Sequence, residues 1–182
     1  TVDLSAFYFD IRKDNLYCDP IDSKKRKSTI LTLNIILNAL LKWFAPILSF
    51  TTEEIFRLLF KKQKSIHLEQ FIEFPDKFKN LKLSEKWVEL INIRNICNIS
   101  IEEKRATKEI GSSLEADLKI QLSQKLKELT ENTDFSELCI TSRAEVTYKD
   151  DIETTANTSK AKGSKCPVCW KISETSCERH SS

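Results

Sequence analysis

Between Ser28 and Phe60 the apolar residues recur at helical spacing. Ile30, Leu33, Leu37, Leu40 and Phe44 form one seam, and Leu31, Ile35, Ile36, Leu41 and Ile47 widen it beyond an ordinary amphipathic stripe. Asn34, Asn38 and Lys42 recur every fourth residue and make a narrow polar edge. A helix this apolar is expected in the middle of a bundle. It is not a membrane span, because no uninterrupted apolar run reaches about 18 residues. Pro46 is expected to stop it by removing a donor and pushing Ala45 out of the α region. Thr51 is expected to cap a second helix, with Glu54 capping in return.

The flanking pattern supplies the other elements. In the stretch from Thr1 to Asp19, Leu4, Phe7, Tyr8 and Ile11 sit at i, i+3, i+4 and i+7, which predicts the end of a helix begun further upstream. From Phe60 to Leu83, through Lys61, Lys62 and Lys64, the order is irregular and reads as a long connector. Ser84 is expected to cap a long helix to about Lys108, with Leu90, Cys97 and Ile101 on its seam and Trp87 and Ile93 beside them. Gly111 is expected to end it as a left-handed cap. The period then changes to two: Leu114, Ala116, Leu118, Ile120 and Leu122 alternate with polar residues and predict a half-buried strand. Ser123 can cap a short helix carrying Leu126 and Leu129, and Ile140, Ala144 and Val146 mark a second strand. This β-α-β unit of about 40 residues is too small to fold alone and should pack on the bundle. Asp150 to Lys165 is linker-like, with almost nothing to bury.

Composition changes the picture modestly. At 182 residues the chain holds one domain, or a domain with a small appendage. The formal net charge of +2 is too small to announce a polyanion partner, so any nucleic-acid surface must come from local patches. No Met occurs, even at position 1, which predicts a piece of a longer chain. The 2 Gly argue against a nucleotide-binding α/β core, whose phosphate loops consume glycine. With no signal peptide or lipidation motif, the cytoplasm is the expected location. The 6 Cys agree with that: three are scattered, and three crowd into the C-terminus at metal-like spacing.

That C-terminus carries the sharpest chemistry. Lys165-Cys166-Pro167-Val168-Cys169-Trp170-Lys171 is followed by Cys177-Glu178-Arg179-His180. Two Cys separated by two residues can reach one tetrahedral Zn²⁺, and Cys-x-x-His supplies two further ligands. Cys166, Cys169, Cys177 and His180 are thus the candidate metal ligands. A redox Cys-x-x-Cys would need a thioredoxin-like fold around it. His67, with no Cys, Asp or second His nearby, is a poor catalytic or metal candidate and reads as structural. Arg94 falls on the apolar seam of its helix and needs a partner there, a carboxylate in a buried ion pair or an RNA phosphate. Lys24, Lys25, Arg26 and Lys27 occupy a helix first turn, where the macrodipole disfavours cations. An RNA phosphate would compensate them, and a solvated basic turn is the alternative.

Several of these strings resemble a known family. Trp43 to Phe56, WFAPILSFTTEEIF, resembles the LAPILSFTAEEIW signature in the anticodon-binding helical domain of class I aminoacyl-tRNA synthetases. The isoleucine, valine, leucine and methionine enzymes share it. Leu4 to Asp19 is similar at nearly every position to LSAFYLDIIKDRLYCD of the isoleucyl-tRNA synthetase family. Further along, SIHL before Phe74-Pro75, the Trp87–Arg94–Arg105 series ending in IGSSLEA, and the terminal Cys cluster also resemble that family. Two departures stand out: His180 replaces the last Cys of its CPRCW…C..C knuckle, and the gap before Cys177 is short.

The resemblance implies a mainly α chain with four parts. These are an N-terminally truncated anticodon-binding bundle over 1–109, a β-α-β junction over 110–149, a flexible linker over 150–164, and a zinc knuckle over 165–182. It implies an ATP-dependent isoleucine–tRNA ligase as parent. No HIGH or KMSKS motif and no editing insertion are found here, and Lys24 to Ser28, KKRKS, is not a KMSKS loop. The chain is therefore expected to bind the anticodon arm of isoleucine tRNA and to be inactive alone, with ATP confined to the absent catalytic domain. Its implied partners are that tRNA and the catalytic and editing domains of the same chain, in a monomer away from any membrane. Trp170, in a module too small to hide an indole, is expected as a base-stacking platform ringed by Lys165, Lys171 and Arg179, unless it packs on its own loop or on the bundle. Arg94 and the Lys24–Lys27 turn would supply the remaining contacts. The alternative is a free-standing helical RNA-binding or scaffold protein with a zinc knuckle, which an upstream reading frame would exclude.

Overall fold

The computed structural model describes residues 2–61, 64–177, 179 and 180. Thr1, Lys62 and Glu178, named above, lie outside the described residues. Helices outweigh strands, and none is long and apolar enough to cross a membrane among the described residues. The chain divides into two compact units, one of Asn15–Lys79 and one of Thr1–Asp14 with Asn80–Ser182.

At the N-terminus, Val2–Phe9 winds as a π-helix and continues into α1 (Asp10–Cys18). In the Asn15–Lys79 unit, α2 (Lys24–Phe44) starts at Ser23, whose hydroxyl accepts from the Arg26 N–H at 3.4 Å. Ser23 also donates to Asp19 at 3.1 Å, and the Arg26 guanidinium donates to the Asp19 carbonyl at 2.8 Å. The start of this helix is thus written in three side chains.

Its end differs from expectation. Ala45 keeps α geometry (φ −52, ψ −42) before Pro46, so the proline does not displace its neighbour. The chain turns because Pro46 has no N–H to extend the ladder, and Ile47 and Leu48 both donate to the Phe44 carbonyl, at 2.9 and 2.7 Å. Helix α3 (Ser49–Phe60) then begins before Thr51, with Leu48 at its cap and no capping side chain. Thr52 folds back instead, its hydroxyl on the Leu48 carbonyl at 3.0 Å.

The unit's buried centre is small: Leu41, Ala45, Phe56 and Ile66. Glu53 on α3 pins Ile66 there, accepting from the Ile66 N–H and the Ser65 hydroxyl, both at 2.8 Å. The Ile66 N–H holds the Glu53 carboxyl below the usual carboxylate range, with Ser65 and Arg57 adding to the effect against the cost of desolvation. His67 is exposed; the buried anchor of this turn is its neighbour Ile66. Contrary to the expected central position, α2 buries only Thr29, Ala39 and Leu41. One partner helix and a short connector cover a single stripe, so Ile30, Leu31, Ile35, Trp43 and Phe44 stay exposed.

In the other unit, α4 (Leu81–Ala106) begins three residues ahead of Ser84. Asn80 is its cap, the side-chain oxygen accepting from the Leu83 N–H at 3.0 Å. The left-handed residue at its end is Lys108 (φ 60), not Gly111. Lys108 donates to the Arg105 carbonyl at 3.0 Å and Glu109 to the Lys104 carbonyl at 3.1 Å, the paired bonds of a Schellman end. Gly111 instead donates to the Glu115 carboxylate at 2.9 Å.

Strand β1 (Ala116–Ser123) is central. It pairs in parallel with β2 (Arg143–Lys149) and antiparallel with β3 (Thr155–Lys160). Between β1 and β2 lie two short helices, α5 (Lys127–Thr130) and α6 (Phe135–Leu138). Ala116, Leu118, Ile120 and Leu122 face inward against Leu90, Ile93, Cys97 and Ile101 of α4 and Phe135 and Leu138 of α6. Within this core, a hydrogen bond with Cys97 and burial push the Cys139 thiol far above its ordinary range, so it stays protonated.

Strand β3 corrects the expectation of a linker over 150–164. Pairing needs backbone groups rather than large apolar side chains, and β1 supplies them from Ala116 to Gln121. Only Ala156 packs against the core, and the buried Thr158 hydroxyl meets Ser100 of α4 at 2.9 Å. Composition hides such a strand.

Candidate metal centre and its cationic surroundings

Two short strands, β4 (Ser164–Lys165) and β5 (Ile172–Ser173), pair antiparallel around the Cys-x-x-Cys turn. Cys166 donates its N–H to the Lys171 carbonyl at 2.9 Å, and Trp170 donates to the Cys166 carbonyl at 3.0 Å. Trp170 closes this turn in the left-handed region at φ 65. Gly163 leads into it at φ +117, where an added Cβ would meet the Ser173 carbonyl oxygen at 2.0 Å. The glycine is therefore required twice over, by its backbone angle and by the close approach of β5. Gly163→Ala is expected to separate β4 from β5 and weaken metal retention by about tenfold or more, since second-order support of a site typically carries 10- to 100-fold in affinity. Competition with a chromogenic chelator reads this out, and unchanged retention would count against the required geometry.

The four candidate ligands converge. Their ligand atoms all lie within 4.8 Å of one another. His180 Nδ1 is 3.5 Å from Cys166 Sγ and 3.3 Å from Cys177 Sγ, and the Cys169 and Cys177 sulfurs are 3.8 Å apart. Metal–sulfur bonds of about 2.3 Å and metal–nitrogen bonds of about 2.0 Å at tetrahedral angles place ligand atoms about 3.5–3.8 Å apart. The spacing and the donor set therefore fit a tetrahedral ion, and zinc is compatible with both.

The thiols are prepared unequally. Backbone N–H groups of Cys169 and Val168 aim at Cys166 and bring its thiol down to about 6. Cys169 is pushed up to about 11, chiefly by burial. Of these two thiols, Cys166 is thus the more readily ionised for a metal.

The knuckle is docked on its unit. The Ser142 hydroxyl, just ahead of β2, accepts from the Ile172 N–H at 2.6 Å and donates to the Leu114 carbonyl. Arg179 reaches Asp14 at 2.6 Å. That pairing fixes the Arg179 side chain, which was expected on the rim around Trp170. Trp170 itself is 59% exposed, and the Lys165 ammonium lies 5.4 Å from the centre of its ring. Lys171 is half-buried.

Among the described residues, no carboxylate forms an ion pair with Arg94. Its Nε donates to the Leu138 carbonyl at 2.9 Å, and its guanidinium lies 5.3 Å from the Phe7 ring centre. A half-buried guanidinium is satisfied here by an uncapped helix-end carbonyl and an aromatic face. In the other unit, Lys24, Lys25 and Lys27 are exposed at the start of α2, and Arg26 is half-buried on Asp19.

Sequence reasoning missed a groove beside the knuckle, of about 730 Å³. Lys119, Arg143, Lys160, Lys162 and Lys171 line it, with Asp117 on its wall. The available signal was the polar half of the strand alternation: Asp117 and Lys119 on β1 register with Arg143 and Glu145 on β2.

A family model described as the anticodon-binding domain of tRNA ligase matches residues 1–122. An isoleucine–tRNA ligase of Pelagibacter ubique (strain HTCC1062) is 64% identical over 181 residues, which is 100% of this chain and 20% of that protein. The isoleucine–tRNA ligase of Bradyrhizobium diazoefficiens is 41% identical, covering 95% of this chain and 18% of its own length. That of Bartonella henselae is 40% identical, covering 94% and 19%. The chain thus spans about a fifth of the length of the curated relatives it matches. With residues 1–122 of 182 under one model, the chain belongs to the family of anticodon-binding domains of tRNA ligases.

Proposed function

We propose that this chain is the anticodon-arm-binding part of an isoleucine–tRNA ligase that works as a monomer in the cytoplasm, and that Cys166, Cys169, Cys177 and His180 hold one Zn²⁺. The observation that carries the reading is family membership together with relatives that are isoleucine–tRNA ligases along the whole chain. The chemistry of amino-acid activation, with its ATP, belongs to parts of such a ligase outside these residues. In this reading residues 1–109 bind RNA with a bundle, 110–149 form a junction, and 165–182 form the knuckle. The metal, when bound, supplies four ligand bonds that fold a module with almost no apolar core of its own.

Trp170 is the stacking residue of this proposal. Its ring is exposed, and its place directly after Cys169 ties its position to the metal site. Lys171 and Lys165 add a phosphate attraction. Lys24, Lys25 and Lys27 offer a second set of phosphate contacts on their own unit. Arg94 and Arg179, held by Leu138 and Asp14, act by keeping the fold in place.

The test is a chimera in which the matching fifth of the Pelagibacter ubique ligase is replaced by this chain. It is expected to bind isoleucine tRNA and charge it. Trp170→Ala should weaken tRNA binding by about 1–3 kcal/mol with little change in salt slope, whereas Lys171→Ala should lower the slope by about one. A chimera that keeps its zinc but loses no tRNA affinity in Trp170→Ala would end the stacking role. A chimera that folds yet binds no tRNA would end the anticodon reading itself.

A further inference from the structure

The two faces of the three-stranded sheet do different things. One buries Ala116, Leu118, Ile120 and Leu122 under α4. The other carries Asp117 and Lys119 and forms one side of the groove of about 730 Å³, whose opposite side is the metal knuckle. That volume falls within the range of about 300–1,000 Å³ typical of built ligand sites.

The charges of this groove are uncommitted. Lys119, Arg143, Lys160, Lys162 and Lys171 line it, and none of the five has a side-chain ion pair among the described residues. Five cations along one channel suit a polyanion backbone rather than a small neutral ligand. Two carboxylates break the pattern, the exposed Glu174 on the knuckle side and the partly buried Asp117 on the sheet. The register partners of Asp117 are Arg143 on β2 and Ser159 on β3, yet no ion pair joins Asp117 to Arg143 among the described residues. Its Oδ1 is buried, and no protein group donates a hydrogen bond to it. A carboxylate oxygen kept from water without a donor is destabilising unless something else supplies one.

That carboxylate disfavours a phosphate in direct contact with it, because both are anionic. A nucleobase meets no such repulsion. Adenine N6, cytosine N4 and guanine N2 are exocyclic amino groups that donate to a carboxylate, while uracil has none. Asp117 lines the groove and is partly exposed, so its carboxylate is the acceptor such an amino group meets there. We infer that the groove between the sheet and the knuckle takes a single-stranded RNA segment, with phosphates on its lysines and Arg143, and that Asp117 selects an amino-bearing base within it. This rests on the anticodon-binding reading above and adds a specificity residue to it. It also gives the polar face of the sheet a task that packing does not explain, since that face covers no core.

The experiment uses the chimera and a set of anticodon stem-loop RNAs of isoleucine tRNA. In each, one loop base loses only its exocyclic amino group: inosine for guanosine, purine riboside for adenosine, or zebularine for cytidine. At one loop position the amino-less RNA is expected to bind roughly ten- to hundredfold more weakly. In Asp117→Ala that penalty should vanish, while Trp170→Ala should leave it intact. Asp117→Asn, which keeps the shape and removes the charge, should reduce the penalty and tighten binding of amino-less loops. Lys160→Ala should lower the salt slope without touching the penalty. The selective role of Asp117 is overturned if every amino deletion costs the same in the parent chimera and in Asp117→Ala. If the parent chimera binds no stem-loop at all, the anticodon reading fails first, and the two failures are told apart by that control.

Discussion

Protein prepared without chelator should contain close to one zinc per chain, and the Cys166→Ala, Cys169→Ala double variant close to none. The expected effect is large, because structural zinc sites contribute about 10–16 kcal/mol of apparent binding energy near neutral pH. Little else holds the knuckle. Its two strands are two residues each, and the unit's main core of Leu90 to Cys139 contains none of its Cys. Removing the ion should therefore abolish amide-exchange protection from Ser164 to Ser173 while β1 to β3 keep theirs. The docking bonds from Ser142 and Asp14 transmit only a local loosening.

The pH dependence follows from the same ligands. Zinc binds thiolates, so loading releases whatever protons the thiols carry. Cys169, raised to about 11, is protonated at neutral pH and gives up a proton on binding. Affinity should then fall by about tenfold per pH unit per such proton as pH is lowered. Cys166, at about 6, adds nothing above that value but takes up a proton below it, and the fall should steepen there. In the metal-free chain its depressed value acts in the same direction, contributing stability at high pH that is lost as pH drops through about 6. Zinc content measured after dialysis from pH 8 to 5 checks both slopes. A flat profile would show that the thiols are not the ligands.

How legible this was differs from element to element. The alternation from Ala116 to Leu122 reads directly as β1, because a two-residue period has one structural meaning when one face is buried. The convergence of the four candidate ligands was equally visible, since Cys-x-x-Cys and Cys-x-x-His encode a geometry in their spacing. Strand β3 was hidden because Thr155 to Lys160 pairs through its backbone, which sequence does not show. Helix starts were misplaced at Thr51 and Ser84 for a related reason. At α4 both Asn80 and Ser84 can cap, and the structure uses Asn80; α3 starts from Leu48 with no capping side chain at all, so no capping preference could place its start. For Arg94 a carboxylate and an RNA phosphate were the readable alternatives; the need for an acceptor was legible, but not that the Leu138 carbonyl would accept from its Nε. Asp117 and its groove need the register of three strands at once, and no single stretch carries that.

The final expectation separates two leucines that the pattern treats alike. Leu31 on α2 and Leu118 on β1 both sit at positions where periodicity predicts burial. The structure makes Leu118 0% exposed and Leu31 63% exposed. Leu118 has Ala144 and Thr158 as its register partners on the flanking strands and lies in one core with α4. Leu118→Ala should leave a cavity that these backbone-paired neighbours cannot close, at a cost of about 2–5 kcal/mol. That is a large share of the roughly 5–15 kcal/mol that stabilises a domain. Leu31→Ala removes a side chain that already faces solvent and should change stability by no more than about 0.5 kcal/mol. Urea unfolding followed by circular dichroism gives both values, with a shifted midpoint and an unchanged slope marking a true stability effect. Equal costs at the two positions would mean that the apolar face of α2 is covered in solution, and the exposure assigned to Ile30, Leu31 and Ile35 would have to be withdrawn.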